Sequence, residues 1–166
     1  MKLNRRSRRS LAFGVGVVAL ILVIAPALHA QNDPLVGKWT LNVGKSKYQP
    51  GPPPKSETRV YEPFGGAGLG IKATFDRVDA AGKSVTISFS AMYDGKDYKY
   101  NGPDADTLVL KRPNANTIDA TLKRNGQVVQ TTHSVISADG KVRTQTATGT
   151  DAKGQKYNNT AVFDRQ

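Results

Sequence analysis

Between Asn116 and Arg165 the chain consists of four runs of β-favouring residues separated by Arg124-Asn125-Gly126-Gln127, Ala138-Asp139-Gly140-Lys141 and Asp151-Ala152-Lys153-Gly154. Asn-Gly and Asp-Gly between such runs are hairpin signatures, because a type I′ turn needs positive φ at both central positions. Upstream, Asp79-Ala80-Ala81-Gly82-Lys83 and Asp94-Gly95-Lys96 repeat the device. So many short reversals leave no room for crossover helices. They force an antiparallel meander without naming a reaction or a ligand.

The strands themselves alternate. Trp39, Leu41 and Val43 share one parity against Lys38, Thr40 and Asn42. Ile71, Ala73 and Phe75 line one side of the next clear arm, and Val85, Ile87, Phe89, Ala91 and Tyr93 line one side of its partner. A period of two with one dry and one wet face belongs to half-buried antiparallel strands, not to a doubly buried parallel sheet. Tyr98 and Tyr100 form a short strand, Asn101-Gly102-Pro103 turns the chain, Thr107 to Lys111 pairs next, and Pro113-Asn114 turns it again. In the closing strands the pattern thins. Val142, Thr144, Thr146 and Thr148 stand opposite Arg143, Gln145 and Ala147, and either face is too polar for a fully dry core.

The first thirty residues read as an address. Lys2, Arg5, Arg6, Arg8 and Arg9 precede an apolar run from Leu11 to Pro26, and Ala27-Leu28-His29-Ala30 offers small residues for cleavage. This is the plan of a secretory signal peptide. A retained anchor would need ~20 apolar residues, more than this run supplies before Pro26. Ser7-Arg8-Arg9-Ser10-Leu11 partly resembles a twin-arginine signal, but Ala12 and the strongly apolar Leu20 to Ile24 favour general secretion. The chain therefore divides into a signal peptide, 1–30, and a single β-barrel domain, 31–166, exported to the periplasm or the extracellular space without a stable membrane anchor.

Cleavage changes the charge. The formal +11 loses five cations, leaving 19 Lys+Arg against 13 Asp+Glu, or about +6. The lysines are scattered beside turns, where they blunt edge pairing. A nucleic-acid surface would gather them on one face with aromatics interleaved, and none is expected here. Cysteine is absent, so neither disulfides, thiol chemistry nor a cysteine metal site is available.

Gln31-Asn32-Asp33-Pro34 reads as a flexible tail. Gly44 to Ser56 holds four prolines and cannot be helix or central strand. It is either a stiff crossover over one barrel end or a lid. Phe64-Gly65-Gly66-Ala67-Gly68-Leu69-Gly70 lacks the Lys-Ser/Thr and following helix of a phosphate loop and reads as a mobile turn.

About ten short strands most economically form an all-β, antiparallel up-and-down meander closed into a barrel of about 8–10 strands, since closure removes exposed edges. Gly37-Lys38-Trp39 opening the first strand of a meander resembles the lipocalins and related calycin barrels, and ten strands resembles the fatty-acid-binding proteins. The resemblance implies that Trp39 packs at a closed barrel end against an arginine near the last strand, with Arg165 the match by position. Two departures stand out. The Pro-rich loop replaces the helical pair of fatty-acid-binding proteins, and Asn159 to Arg165 lacks their Arg-x-Tyr clamp. The run Trp39-Thr40-Leu41-Asn42 with Lys45-Ser46-Lys47-Tyr48 and Pro50-Gly51-Pro52 also resembles a recurrent group of uncharacterised exported bacterial proteins, which brings no activity with it.

Catalytic candidates are few. His29 leaves with the signal, so a Ser-His-Asp triad would have to use His133, which sits mid-strand. Asp94, Asp97, Asp104 and Asp106 lie at strand ends and turns without EF-hand spacing. No catalytic residue, metal or cofactor is expected. The reading is a barrel that binds a small hydrophobic or amphipathic ligand lined by Trp39, Phe75, Phe89, Tyr93, Tyr100, Arg143 and Phe163. Thr144 and Thr146, or Arg143 and Gln145 if the parity reverses, supply polar groups. A filled structural envelope protein and an enzyme using the cavity are the alternatives. Mass spectrometry of the exported protein is expected to find an N-terminus at Gln31; retention of Met1 or Leu11 would make the apolar run an anchor.

Overall fold

The alternation becomes a series of antiparallel strand pairs in the computed structural model, which describes residues 33–166 apart from 67 and 152. The signal peptide lies outside the described residues. Ten strands follow in order: β1 Gly37–Leu41, β2 Ser56–Pro63, β3 Gly70–Val78, β4 Ser84–Met92, β5 Asp94–Asn101, β6 Thr107–Asn114, β7 Thr117–Arg124, β8 Gln127–Ile136, β9 Val142–Thr150 and β10 Lys156–Arg165. Each pairs antiparallel with its neighbours, and β1 pairs with both β2 and β10, so the barrel is closed.

The turns explain the register. Asn125 at φ 51° and Gly126 at φ 77° supply the two positive values of a type I′ hairpin between β7 and β8. The Asp-Gly turn between β8 and β9 closes differently. There Gly140 alone is left-handed, and its N–H donates to Ser137 O at 2.8 Å. This is the type I turn with a left-handed residue after it, which also suits the strand twist. Asp79 and Asp151 build the same turn, their carboxylates accepting from the N–H of Lys83 and Gln155 at 2.8 and 2.9 Å. Aspartates at strand ends here set backbone geometry. Pro113 does not turn the chain as expected: β6 runs on to Asn114 through a bulge after Lys111. A proline, having no N–H to give the ladder, is tolerated there.

One end is sealed by Trp39. Its ring is fully buried, its Nε1–H donates to Leu35 O at 2.8 Å, and the Arg165 guanidinium lies 4.3 Å over it. Arg165 also donates to Val36 O at 2.7 Å, Gly140 O at 2.6 Å and Pro34 O, clamping the segment before β1 onto the β8–β9 loop. The expected flexible tail at Asp33-Pro34 is thus corrected. Asp33 is buried, pairs with Arg112, and accepts from Tyr93 Oη and Leu35 N at 2.8 Å each. A buried carboxylate with three donors orders the chain that carries it.

Trp39→Ala is expected to cost about 3–5 kcal/mol in chemical denaturation, as deletion of a core aromatic does. A loss under about 1 kcal/mol would show that the ring does not support the closed end.

Candidate functional site

The barrel encloses a cavity of about 270 Å³. It reaches the end opposite Trp39, where Tyr48 and Pro54 of the Pro-rich crossover and Asp104 of the β5–β6 loop border it. The crossover first runs along β10, with Lys47 bridging Thr160 and Gln49 O accepting from Asn158 N at 2.8 Å. It therefore carries the chain over the barrel end and forms part of the rim as well.

Inward positions follow from register. Along β3, β4, β6 and β7 they are Ile71, Phe75, Arg77, Phe89, Leu108, Leu110, Ile118, Ala120 and Leu122, a wall that is apolar except for Arg77 at the open end. Along β2 they are Glu57, Arg59 and Tyr61; along β8, Gln130, Thr132 and Ser134; along β9, Arg143, Gln145 and Ala147. The parity in β9 is therefore the second of the two expected. Arg143 and Gln145 face in, and Thr144 and Thr146 face solvent.

Two guanidiniums pair with one carboxylate, and a third stands apart from it. Glu57, 1% exposed, accepts from Arg59 Nε at 2.6 Å and from Arg77 Nε at 3.1 Å. Arg77 also reaches Asp104 at the rim, 3.6 Å away. Arg59 lies between two rings, 4.5 Å from Phe75 and 4.2 Å from Phe163, and its Nη1 donates to Gln145 Oε1 at 2.7 Å. Arg143 differs. Its partners are Tyr61 Oη, Ser134 Oγ at 3.1 Å and the same Gln145 Oε1 at 2.8 Å, all uncharged. Its Nε is buried with no partner among the described residues. Arg143 is a buried cation bonded to no carboxylate among the described residues.

The titration behaviour follows. Burial, the largest influence on Glu57, would raise its carboxyl, but the charges and hydrogen bonds of Arg59 and Arg77 outweigh it and hold the group below its ordinary value. For Arg143 burial dominates and pushes the guanidinium down, Tyr61 opposes it, and the nearby Arg59 charge adds to the depression. A guanidinium stays protonated even so. Burial, with the Asp104 charge second, pushes the Tyr157 hydroxyl up to about 12, and it donates to Gln130 Oε1 at 2.6 Å.

Of the residues expected to line the space, Phe75, Phe89, Tyr100 and Arg143 border the cavity. Phe163 is fully buried as the platform beneath Arg59 and Arg143. Trp39 and Tyr93 belong to the closed end, Tyr93 under the Arg112 guanidinium at 4.3 Å. His133 lies on the outer face, with Nδ1 2.7 Å from Asp119 Oδ1 and its side chain 59% exposed. Sequence reasoning missed Glu57, Arg59, Tyr61 and Thr132. Glu57, Arg59 and Tyr61 alternate with Thr58 and Val60 along β2, and it is the set carrying the charges that is buried. No protein-family model matches the chain. Nor does any curated protein match it.

Glu57→Gln is expected to cost about 3–5 kcal/mol at pH 7, because it leaves buried guanidiniums uncompensated. Since the folded-state carboxyl titrates below its unfolded value, the stability it contributes is present above pH ~4.5 and is lost as pH falls through the depressed value. The difference between wild type and variant should therefore shrink in acid unfolding curves below that pH. A difference independent of pH would show that the carboxylate is not the group holding the pair.

Proposed function

We propose that this is an exported, non-catalytic barrel that holds a small amphipathic organic anion in its interior. The observation that carries the reading is Arg143, buried beside an open cavity with only uncharged hydrogen-bond partners among the described residues. A buried charge without a counter-ion is costly, and a cavity lined by apolar surface with a few convergent polar groups is the usual form of a ligand site. An anion placed against Arg143 would supply the missing charge, while the β3–β7 wall would take the apolar part. The open interior supports this over a filled envelope protein. The outward His133 supports it over a histidine-based enzyme acting in the cavity.

The test is calorimetric titration of the mature protein with small apolar carboxylates and their primary amides. The carboxylate should bind saturably and at least ~10-fold tighter than its amide, the value of a charged hydrogen bond. Arg143→Met should erase that preference while the empty protein keeps its stability, because the substitution removes an uncompensated buried charge. Equal binding of acid and amide would overturn the reading.

A further inference from the structure

The polar and apolar surfaces of the cavity are divided lengthwise. Along the β7–β8 seam, Leu122 faces Gln130, Ala120 faces Thr132 and Ile118 faces Ser134 in register. Every one of these pairs puts an apolar side chain on β7 and a polar one on β8. The opposite boundary is the β2–β3 seam, where Arg59 is in register with Phe75 and Tyr61 with Ala73; only at the open end does the polar side cross it, with Arg77 in register with Glu57. Polar groups consequently run from Arg143, near the closed end, through Ser134 and Thr132 to Gln130 near the rim, and apolar groups run beside them over the same height.

A head-to-tail amphiphile such as a simple fatty acid needs polar groups at one end and apolar wall everywhere else. This cavity offers a fatty tail a continuous polar flank, against which polar groups would be left without partners. Open hydrogen-bonding positions remain on that flank. Gln130 and Gln145 use their Oε1 atoms as acceptors within the protein. Their amide nitrogens and the Thr132 hydroxyl make no side-chain hydrogen bond among the described residues, yet are not among the polar atoms sealed from solvent.

The apolar half is shaped for a flat ring. Tyr61, Phe75, Phe89 and Tyr100 form a chain across β2 to β5, with successive centroids 5.5, 5.6 and 6.1 Å apart. An aromatic ligand would join that chain through the same edge and offset contacts. The volume, about 270 Å³, lies below the range of drug-sized ligands. Two residues along a strand span roughly 7 Å, so Ser134, which touches Arg143, and Thr132 are separated by about the length of one substituted ring.

We infer that the ligand is a small aromatic carboxylic acid bearing a second polar group along one edge, with its carboxylate on Arg143, its ring against Phe75 and Phe89, and its second group on Thr132 or Gln130. This rests on the anion-binding reading above and specifies its ligand class.

The experiment titrates the mature protein with 4-hydroxycinnamate, cinnamate, decanoate and the amide of each acid, and repeats the series with Thr132→Val and Gln130→Leu. The expected result is that 4-hydroxycinnamate binds tightest. At least one substitution should lower its affinity about fivefold or more while leaving cinnamate unchanged, as loss of a single ligand hydrogen bond does. Decanoate binding as tightly as 4-hydroxycinnamate would overturn the aromatic, two-edged ligand and leave the anion reading standing. A hydroxyl preference that survives both substitutions would overturn the assignment of the β8 flank. If no acid exceeds its amide, the anion reading itself falls.

Discussion

Everything in this molecule depends on a five-residue strand closing the barrel. β1 shares only three register pairs with β10, Trp39 with Arg165, Thr40 with Asp164 and Leu41 with Phe163. So short a ladder supplies little by itself, and side chains complete the closure. Arg165 stacks on Trp39 and ties three carbonyls, from Pro34, Val36 and Gly140, to one guanidinium. Asn42 Nδ2 donates to Asp164 Oδ2 at 2.7 Å, and Lys47 carries the pairing on past the end of β1. Without that seam, β1 and β10 would both be exposed edges, and the interior would open to water along its whole length.

Closure is also what makes the interior charges matter. In a flat sheet Arg59 and Arg143 would be solvated side chains of modest consequence. Inside the barrel their fields are less screened, and Glu57 becomes the buried counter-ion of Arg59 and Arg77, while Arg143 has only uncharged hydrogen-bond partners among the described residues. Gln145 then has a defined role. Its single carbonyl oxygen accepts from both Arg59 and Arg143, placing a partial negative charge between two like charges. The neighbouring Phe163 ring adds its negative face below both. These dipoles reduce the repulsion without cancelling the charge, and this is how a folded protein can keep a cation available in a dry place.

The fold was legible in the sequence because its determinants are local. Asn125-Gly126, the Asp-turn motif at Asp79 and Asp151, and the alternation Ile87, Phe89, Ala91 each state a backbone conformation or a buried face within a few residues. The site was only half legible for the same reason. Phe75, Phe89 and Tyr100 belong to an alternating apolar stripe, and a stripe reveals its own direction. Glu57, Arg59 and Tyr61 invert the rule by facing inward while Val60 is exposed. Nothing within β2 indicates this. It follows from the register with Arg77 and Phe75 on one side and Trp39 on the other, contacts distant in sequence. The ordered Asp33 was hidden likewise, since its partners Tyr93 and Arg112 lie far along the chain.

The closing strands show how a wall can be polar on both faces and still hold. β9 carries Thr144, Thr146 and Thr148 outside and Arg143 and Gln145 inside, so it buries little apolar area of its own. β-branched threonines suit the extended backbone whatever they face, and Thr131 Oγ1 pairs with Thr148 Oγ1 at 2.9 Å across the outer surface. Hydrogen-bonded ladders to both neighbours then keep β9 in register, while the burial that stabilises the domain is concentrated in β3, β4, β6 and β7. This division of labour frees the inward positions of β8 and β9 from packing duty. Polar groups can be placed there at small cost to the fold, provided the seam between β1 and β10 stays shut.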